Sequence, residues 1–173
     1  DCGGTGGGEV TDIQGCEGDG RLVLRLSIGS GVTMATSALG RAFLAATPEV
    51  EREMYYEQIR QQDPAAWPAL ERSLQSAYDE YEQYGFCTSD GEWNRDVSGV
   101  AVPLILDGGA QVVPFNCGGS SLRLSRRTLL ENLGPRLKDV VGQVAQMVQG
   151  RAGRAVPGYR ATGETKKRGR RER

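Results

Sequence analysis

The stretch VSGVAVPLILDGGAQVVPFNC, residues 97–117, decides the fold. Val100, Val102, Leu104 and Leu106 recur at every second position, which puts them on one face of a strand spanning 97–106. Pro103 has no N–H to offer a ladder, so the strand runs along an edge or carries a bulge there. Asp107-Gly108-Gly109 is a hairpin-turn signal, and residues 111–117 form the returning strand. Just upstream, residues 86–89 follow Gly85 as a further short strand. The centre of the molecule is therefore an antiparallel sheet.

Helical patterns flank this unit on both sides. Trp67, Leu70, Leu74, Ala77, Tyr78, Tyr81 and Tyr84 have helical spacing, and Gly85 is a natural stop. Packing against a sheet explains such a stripe without any ligand. Before it, Thr47-Pro48-Glu49 reads as an N-cap followed by a first-turn proline, opening a helix to about residue 61. Asp63-Pro64 opens the next segment. An earlier helix starts at Thr36 or Ser37, with Leu39, Ala42, Phe43 and Ala46 as its buried stripe. Downstream, Ser125 caps a long helix whose stripe is Leu130, Leu133, Leu137, Val140, Val141, Val144 and Val148; Pro135 kinks or restarts it. Near the start, residues 9–13 and 21–27 read as a hairpin, and residues 28–31 break the second strand. Hairpin, helices, antiparallel strands and helix in that order give an α+β fold, with no internal repeat.

Composition narrows the function. The 173 residues suffice for one ordinary domain and include no histidine. That excludes Ser/His and Cys/His nucleophile pairs, a histidine base and imidazole metal sites. The cysteines, Cys2, Cys16, Cys87 and Cys117, form no CxxC pair, so neither a zinc ribbon nor a thioredoxin-type redox pair is indicated. With no secretory signal they are expected to be reduced thiols of a cytoplasmic protein. No apolar run approaches the ~20 residues of a membrane helix. The glycine-rich opening lacks a Walker lysine and a following helix, so it is no phosphate loop. Asp1 in first place suggests a piece of a longer chain. Charge is segregated: residues 151–173 carry nine Lys/Arg and two Glu, while the other 150 residues are net acidic. This end is expected to be a disordered basic tail, either a solubilising terminus or a weak phosphate binder.

Three motifs in order resemble the isocitrate lyase regulator (IclR) family of transcription factors. Thr36-Ser37-Ala38-Leu39-Gly40-Arg41-Ala42-Phe43-Leu44-Ala45 resembles the family's (T/S)-A-x-G-(R/K)-A-x-L-A signature. Tyr84-Gly85-Phe86, a loop with Glu92 and then Ser98-Gly99-Val100-Ala101-Val102-Pro103 is similar to its central strands. Phe115-Asn116-Cys117-Gly118-Gly119 stands where the family has its last pocket strand. The resemblance covers roughly residues 9–150. It implies that residues 1–150 are a GAF-like effector-binding domain, an antiparallel sheet with flanking helices and a small-molecule pocket on one face. It also implies a homodimer or tetramer, and operator DNA bound through an N-terminal winged helix-turn-helix absent from this chain.

Carried over residue by residue, the resemblance implies a pocket of Leu24, Val32, Ala38, Leu39, Ser89, Val97, Gly99, Asn116 and Gly118. Asn116 and Gly118 stand where some relatives carry serines, and Thr33 where proline is frequent. The residues themselves add the helix start. Thr36 and Ser37 bring two hydroxyls to a place where backbone N–H groups and the dipole favour a carboxylate, although simple capping also explains them. Trp93, in the loop alongside, is either a lid for an aromatic effector or an anchor for the loop. The expected ligand is a small organic or aromatic acid, with no metal and no cofactor. Glu92 and Asp96 either position a polar group of the effector or act as an acid/base pair; with no metal, histidine or nucleophile beside them an enzyme has little to stand on, and a stand-alone enzyme on a GAF-like fold is the alternative reading.

Overall fold

The computed structural model describes residues 9–11 and 31–152. The predicted strand at 21–27, Leu24 within it, Cys2, Cys16 and the basic tail beyond residue 152 lie outside the described residues. Two sheets are present among them. A ribbon pairs β1 (Glu9–Thr11) antiparallel with β2 (Gly31–Thr33), Val10 opposite Val32. The main sheet has the order β3 (Cys87–Asp90), β4 (Val97–Leu106), β5 (Gln111–Ser120), antiparallel throughout. Residue 31, read from sequence as part of a break, is thus the start of a strand, because a partner at Thr11 satisfies its backbone.

The hairpin of residues 97–117 forms with the bounds its alternation implies, and β5 continues to Ser120. Asp107, Gly108 and Gly109 all take positive φ in a tight turn between the strands, which only a Gly-rich sequence adopts without strain. Pro103 faces Pro114 across the ladder. Neither can donate, and β3 reaches only as far as Ala101, so the flank of β4 at Pro103 is an edge among the described residues.

The helices are α1 (Ala38–Ala46), α2 (Glu49–Gln62), α3 (Trp67–Tyr84), the short α4 (Arg126–Thr128) and α5 (Gly134–Ala152). Gly85 ends α3 in the left-handed conformation, φ 80°. Thr47 does not open α2 as its position suggests. Its hydroxyl donates to Phe43 C=O and closes α1, leaving Pro48 at the cap position of α2 with no side-chain bond. Ser125 caps the C-terminal segment as expected, accepting from Thr128 N–H. The disturbance due to Pro135 falls one turn earlier, as a π-turn over Leu129–Leu133. Proline clashes with the carbonyl four residues before it, here Glu131.

Alternation along β4 divides the core. Ala101, with Cys87 opposite it, faces α1 and meets Ala38, Leu39, Ala42, Ala45 and Ala77. Val100, Val102 and Leu104 face the other way, onto Leu129 and Val141. The sheet therefore lies between α1, backed by α3, and α5. Alanines make the first layer thin, so α1 is buried nearly all round rather than along one stripe. Gly40 lets the turn before α1 approach the helix closely as well: a Cβ there would stand 2.3 Å from Met34 Cα. On α5, Val140 and Val148 are exposed although the periodicity groups them with the buried Val141. No helix among the described residues is long and apolar enough to cross a membrane.

Candidate functional site

The strand register brings several of the predicted residues into one row. Ser89 pairs with Gly99 and Gly99 with Gly118, so the three lie side by side across β3, β4 and β5. Asn116 is one pair further along the same face, opposite Ala101, and Val97 is one pair the other way, opposite Ser120. This is the face that α1 covers. Two of the row's members lack a side chain, so the floor of the row is bare backbone. Its strands approach closely: a Cβ on Gly118 would stand 3.0 Å from Ser98 O.

The start of α1 stands over the Ser89 end of this row. The Ser89 hydroxyl donates to Thr36 C=O at 2.7 Å. Ser37 is the N-cap: its Oγ accepts from Gly40 N–H at 3.0 Å and donates to Thr33 C=O at 2.7 Å. Thr36 Oγ1 is bonded to Thr33 Oγ1. Both hydroxyls offered by the sequence are thus committed to the turn. The backbone N–H groups of Ala38 and Leu39 belong to the first turn, which the helix leaves without internal acceptors. They are what remains for an anionic group. Trp93 is half-buried in the loop between β3 and β4. Val32 lies on the ribbon beside α1, and its side chain is outside the described residues.

A second constellation escaped the sequence reading. Arg41 is only 4% exposed. Its Nε donates to Ala35 C=O (3.0 Å), its Nη1 to Thr88 C=O (2.9 Å) and to Glu92 Oε1 (3.2 Å), and its Nη2 to Ser73 Oγ (2.6 Å). Glu80, also buried, accepts from Thr88 N–H at 2.6 Å and from the Thr88 hydroxyl, and pairs with Arg126 at 2.9 Å. Thr88 lies within β3, an edge strand among the described residues. Its outward N–H and C=O are therefore met by a carboxylate from α3 and a guanidinium from α1, which blocks edge-to-edge pairing. A cavity of about 310 Å³ lies here, lined by Arg41, Ser73, Ser76, Glu80, Glu92 and Arg126 among others. Its arginines already face its glutamates, so it is a polar seam beside the row rather than part of it. The only charged residue of α1 and a glutamate one turn beyond Ala77 in the α3 stripe were the available signals.

Burial alone would push the Glu92 carboxyl up. The Arg41 guanidinium and the Asp90 N–H outweigh it and hold the group below the usual carboxylate value. Asp96 is exposed; its backbone N–H donates to Asn94 Oδ1 and its C=O accepts from Ser121 N–H. Cys87 is buried, and desolvation together with Glu80 pushes its thiol far up, leaving it protonated and unreactive. Cys117 is exposed. No group of three or more His, Cys, Asp or Glu side chains stands together among the described residues.

Comparison with known proteins places this architecture. The family model described as the C-terminal part of the bacterial transcriptional regulator IclR matches residues 5–146. The chain belongs to the IclR family. The HTH-type transcriptional regulator TsaQ1/TsaQ2 of Comamonas testosteroni is 31% identical to it over 124 residues, 72% of this chain and 45% of that protein. A crystal structure of an IclR family transcriptional regulator from Brucella abortus superposes with a TM-score of 0.77 at 41% identity, covering 82% of this chain and 53% of that one. The inducer-binding domain of the PobR transcription factor from Acinetobacter, a double mutant in complex with 3-hydroxybenzoic acid, gives a TM-score of 0.59 at 17% identity, covering 75% of each chain. That last likeness is one of fold. The chain spans about half the length of its TsaQ1/TsaQ2 and Brucella relatives.

Proposed function

We propose that this IclR-family domain is the ligand-sensing half of a transcriptional regulator and binds a small organic or aromatic acid. The observation that carries this is the row Ser89–Gly99–Gly118 with the first turn of α1 standing at its end. In this reading the side-chain-free floor receives a flat or compact molecule, and the Ala38 and Leu39 N–H groups take its carboxylate. The same reading assigns Asn116, Val97, Thr36, Ser37 and Trp93 to the border of the bound molecule; Leu24 and Val32 are assigned to it by family resemblance alone. The relative named as an inducer-binding domain holds a hydroxybenzoic acid, which supports an aromatic acid here. In this reading residues 1–150 form the sensor, residues 151–173 a basic tail, and the regulator works in the cytoplasm as a homodimer or tetramer. Operator DNA is bound by a part outside this chain. The ligand acts only as far as it prefers one of two conformations or assemblies. The matched relatives are named as regulators, and nothing in the comparisons supports the enzyme alternative.

A thermal-shift panel of aliphatic carboxylates, aromatic acids and ring-cleavage products tests the proposal. A ligand at ~100 times its dissociation constant adds about 2.7 kcal/mol, and the compound should be recovered unchanged. Asn116→Ala, at an exposed position, should weaken binding while leaving the ligand-free midpoint in place. A panel without a hit, or a hit indifferent to Asn116→Ala, would overturn the assignment.

A further inference from the structure

We infer that Arg41 is the positioning residue of the effector site, with Glu92 as the latch that holds the Trp93 loop against it. This rests on the function proposed above. One guanidinium is bonded to each of the three segments that border the site. Ala35, which accepts from Nε, belongs to the turn leading into α1. Thr88, which accepts from Nη1, immediately precedes Ser89 in the row. Glu92, the other acceptor of Nη1, lies in the six-residue loop between β3 and β4, next to Trp93. A fourth bond, to Ser73, anchors the group on α3. Only a planar fork with five donors reaches four directions at once; the ammonium of a lysine is a point charge with three donors.

The two members of the pair are unequally held. Arg41 is 4% exposed and fastened by backbone carbonyls and a serine, whereas Glu92 is 41% exposed and sits on a loop. The loop starts at Gly91, φ 79°, and is closed at its base by Gly91 N–H to Val97 C=O at 3.0 Å. At its far end Ser121 holds it, donating its hydroxyl to Arg95 C=O at 2.8 Å and its N–H to Asp96 C=O at 2.9 Å. Next to Trp93 the tie is the carboxylate of Glu92, shared between Arg41 and the Asp90 N–H. A loop that swings out leaves a buried guanidinium hydrogen-bonded only to neutral acceptors, which is costly. Charge balance therefore favours the closed loop. The polar cavity beside the pair leaves Glu92 a solvent-facing side to move into. A site whose loop is already closed loses less freedom when ligand arrives, so the latch should show in affinity more than in fold stability.

The test uses the whole chain with Trp67→Phe, which leaves Trp93 as its single tryptophan. Glu92→Gln keeps an acceptor and removes the charge; Arg41→Lys removes the fork. Arg127→Ala, which breaks an exposed pair with Glu131 on the C-terminal segment, controls for loss of any ion pair. In Glu92→Gln without ligand, acrylamide quenching of Trp93 should rise about twofold, and the dissociation constant of the best panel compound should weaken about tenfold. The control should change neither. Arg41→Lys should do the same; if it does not fold, Glu92→Gln decides alone. Unchanged quenching in Glu92→Gln refutes the latch, with or without a known ligand. Raised quenching with unchanged affinity refutes the positioning role. A parent chain that binds nothing in the panel shows instead that the proposed function has failed, and the positioning role falls with it.

Discussion

Substituting Gly40 by alanine should destabilise this protein, although alanine is the better helix former. The position is inside α1, where exchanging glycine for alanine normally gains up to about 1 kcal/mol. Here the added methyl would stand 2.3 Å from Met34 Cα, 2.5 Å from Met34 O and 2.7 Å from Met34 C. Carbon atoms in good contact are about 3.5–4.0 Å apart. The obstructing atoms are backbone, and that backbone is held. Ser37 bonds the turn to Gly40 itself, Arg41 holds Ala35 and Ser89 holds Thr36. No rotamer change relieves the clash, so the upper end of the overpacking range, about 3 kcal/mol, applies. After the propensity gain, the net loss is about 2 kcal/mol, or roughly 4–8 °C in midpoint for a chain of this size. The assay is thermal and urea unfolding of Gly40→Ala beside Gly142→Ala. Gly142 lies in α5 with open space around it, and its alanine variant should be unchanged or up to about 1 kcal/mol more stable. A Gly40→Ala protein as stable as the parent would show that the turn of residues 33–36 is not pressed against α1, and would remove the basis for a preformed site there.

Three further outcomes follow from the same contacts. Glu80→Ala leaves Thr88 N–H and hydroxyl without their acceptor at a buried edge and should cost about 3 kcal/mol in urea unfolding, whereas Arg126→Ala, at a half-exposed position, should cost under about 1 kcal/mol. Because the folded state lowers the Glu92 pKa, its contribution is present above the unfolded value of about 4.3 and is lost as pH falls through the folded one. The parent should exceed Glu92→Gln by less than about 1 kcal/mol at pH 7, given the exposure of the carboxylate, and the gap should close near pH 3; a gap independent of pH would contradict the pairing. Finally, peptide mapping after brief alkylation at pH 8 should find Cys117 modified and Cys87 protected until denaturant is added; native labelling of Cys87 would refute its burial.

Patterns with a strict local period were legible. The alternation in 97–106, the turn at Asp107-Gly108-Gly109, the stop at Gly85 and the caps at Ser37 and Ser125 all stand where the residues put them. Each depends on backbone geometry within a few residues. One misreading arose where a distant partner decides. The strand at Gly31–Thr33 exists because Glu9–Thr11 pairs with it. Thr47 was misread for a local reason: its hydroxyl had two nearby uses, and it turned back to Phe43 C=O in α1 rather than forward to α2. Of the candidate site, Thr36, Ser37 and Trp93 came from their own chemistry and the other residues from motif resemblance, while the register that aligns Ser89, Gly99 and Gly118 came from the sheet.

By itself, then, the sequence determined the α+β class, the antiparallel hairpin, the family, and the absence of any imidazole for catalysis or metal binding. Only the tertiary structure decided what Arg41, Glu80 and Glu92 are for. Along the chain each is one charged residue whose ion-pair partner lies far away. Folding brings Arg41 to Thr88 and Glu92, 47 and 51 positions away, and Glu80 to Arg126, 46 positions away. Local periodicity carries no information about such pairs, because the attraction that offsets the cost of burying their charges arises only once the helices have packed on the sheet and excluded water.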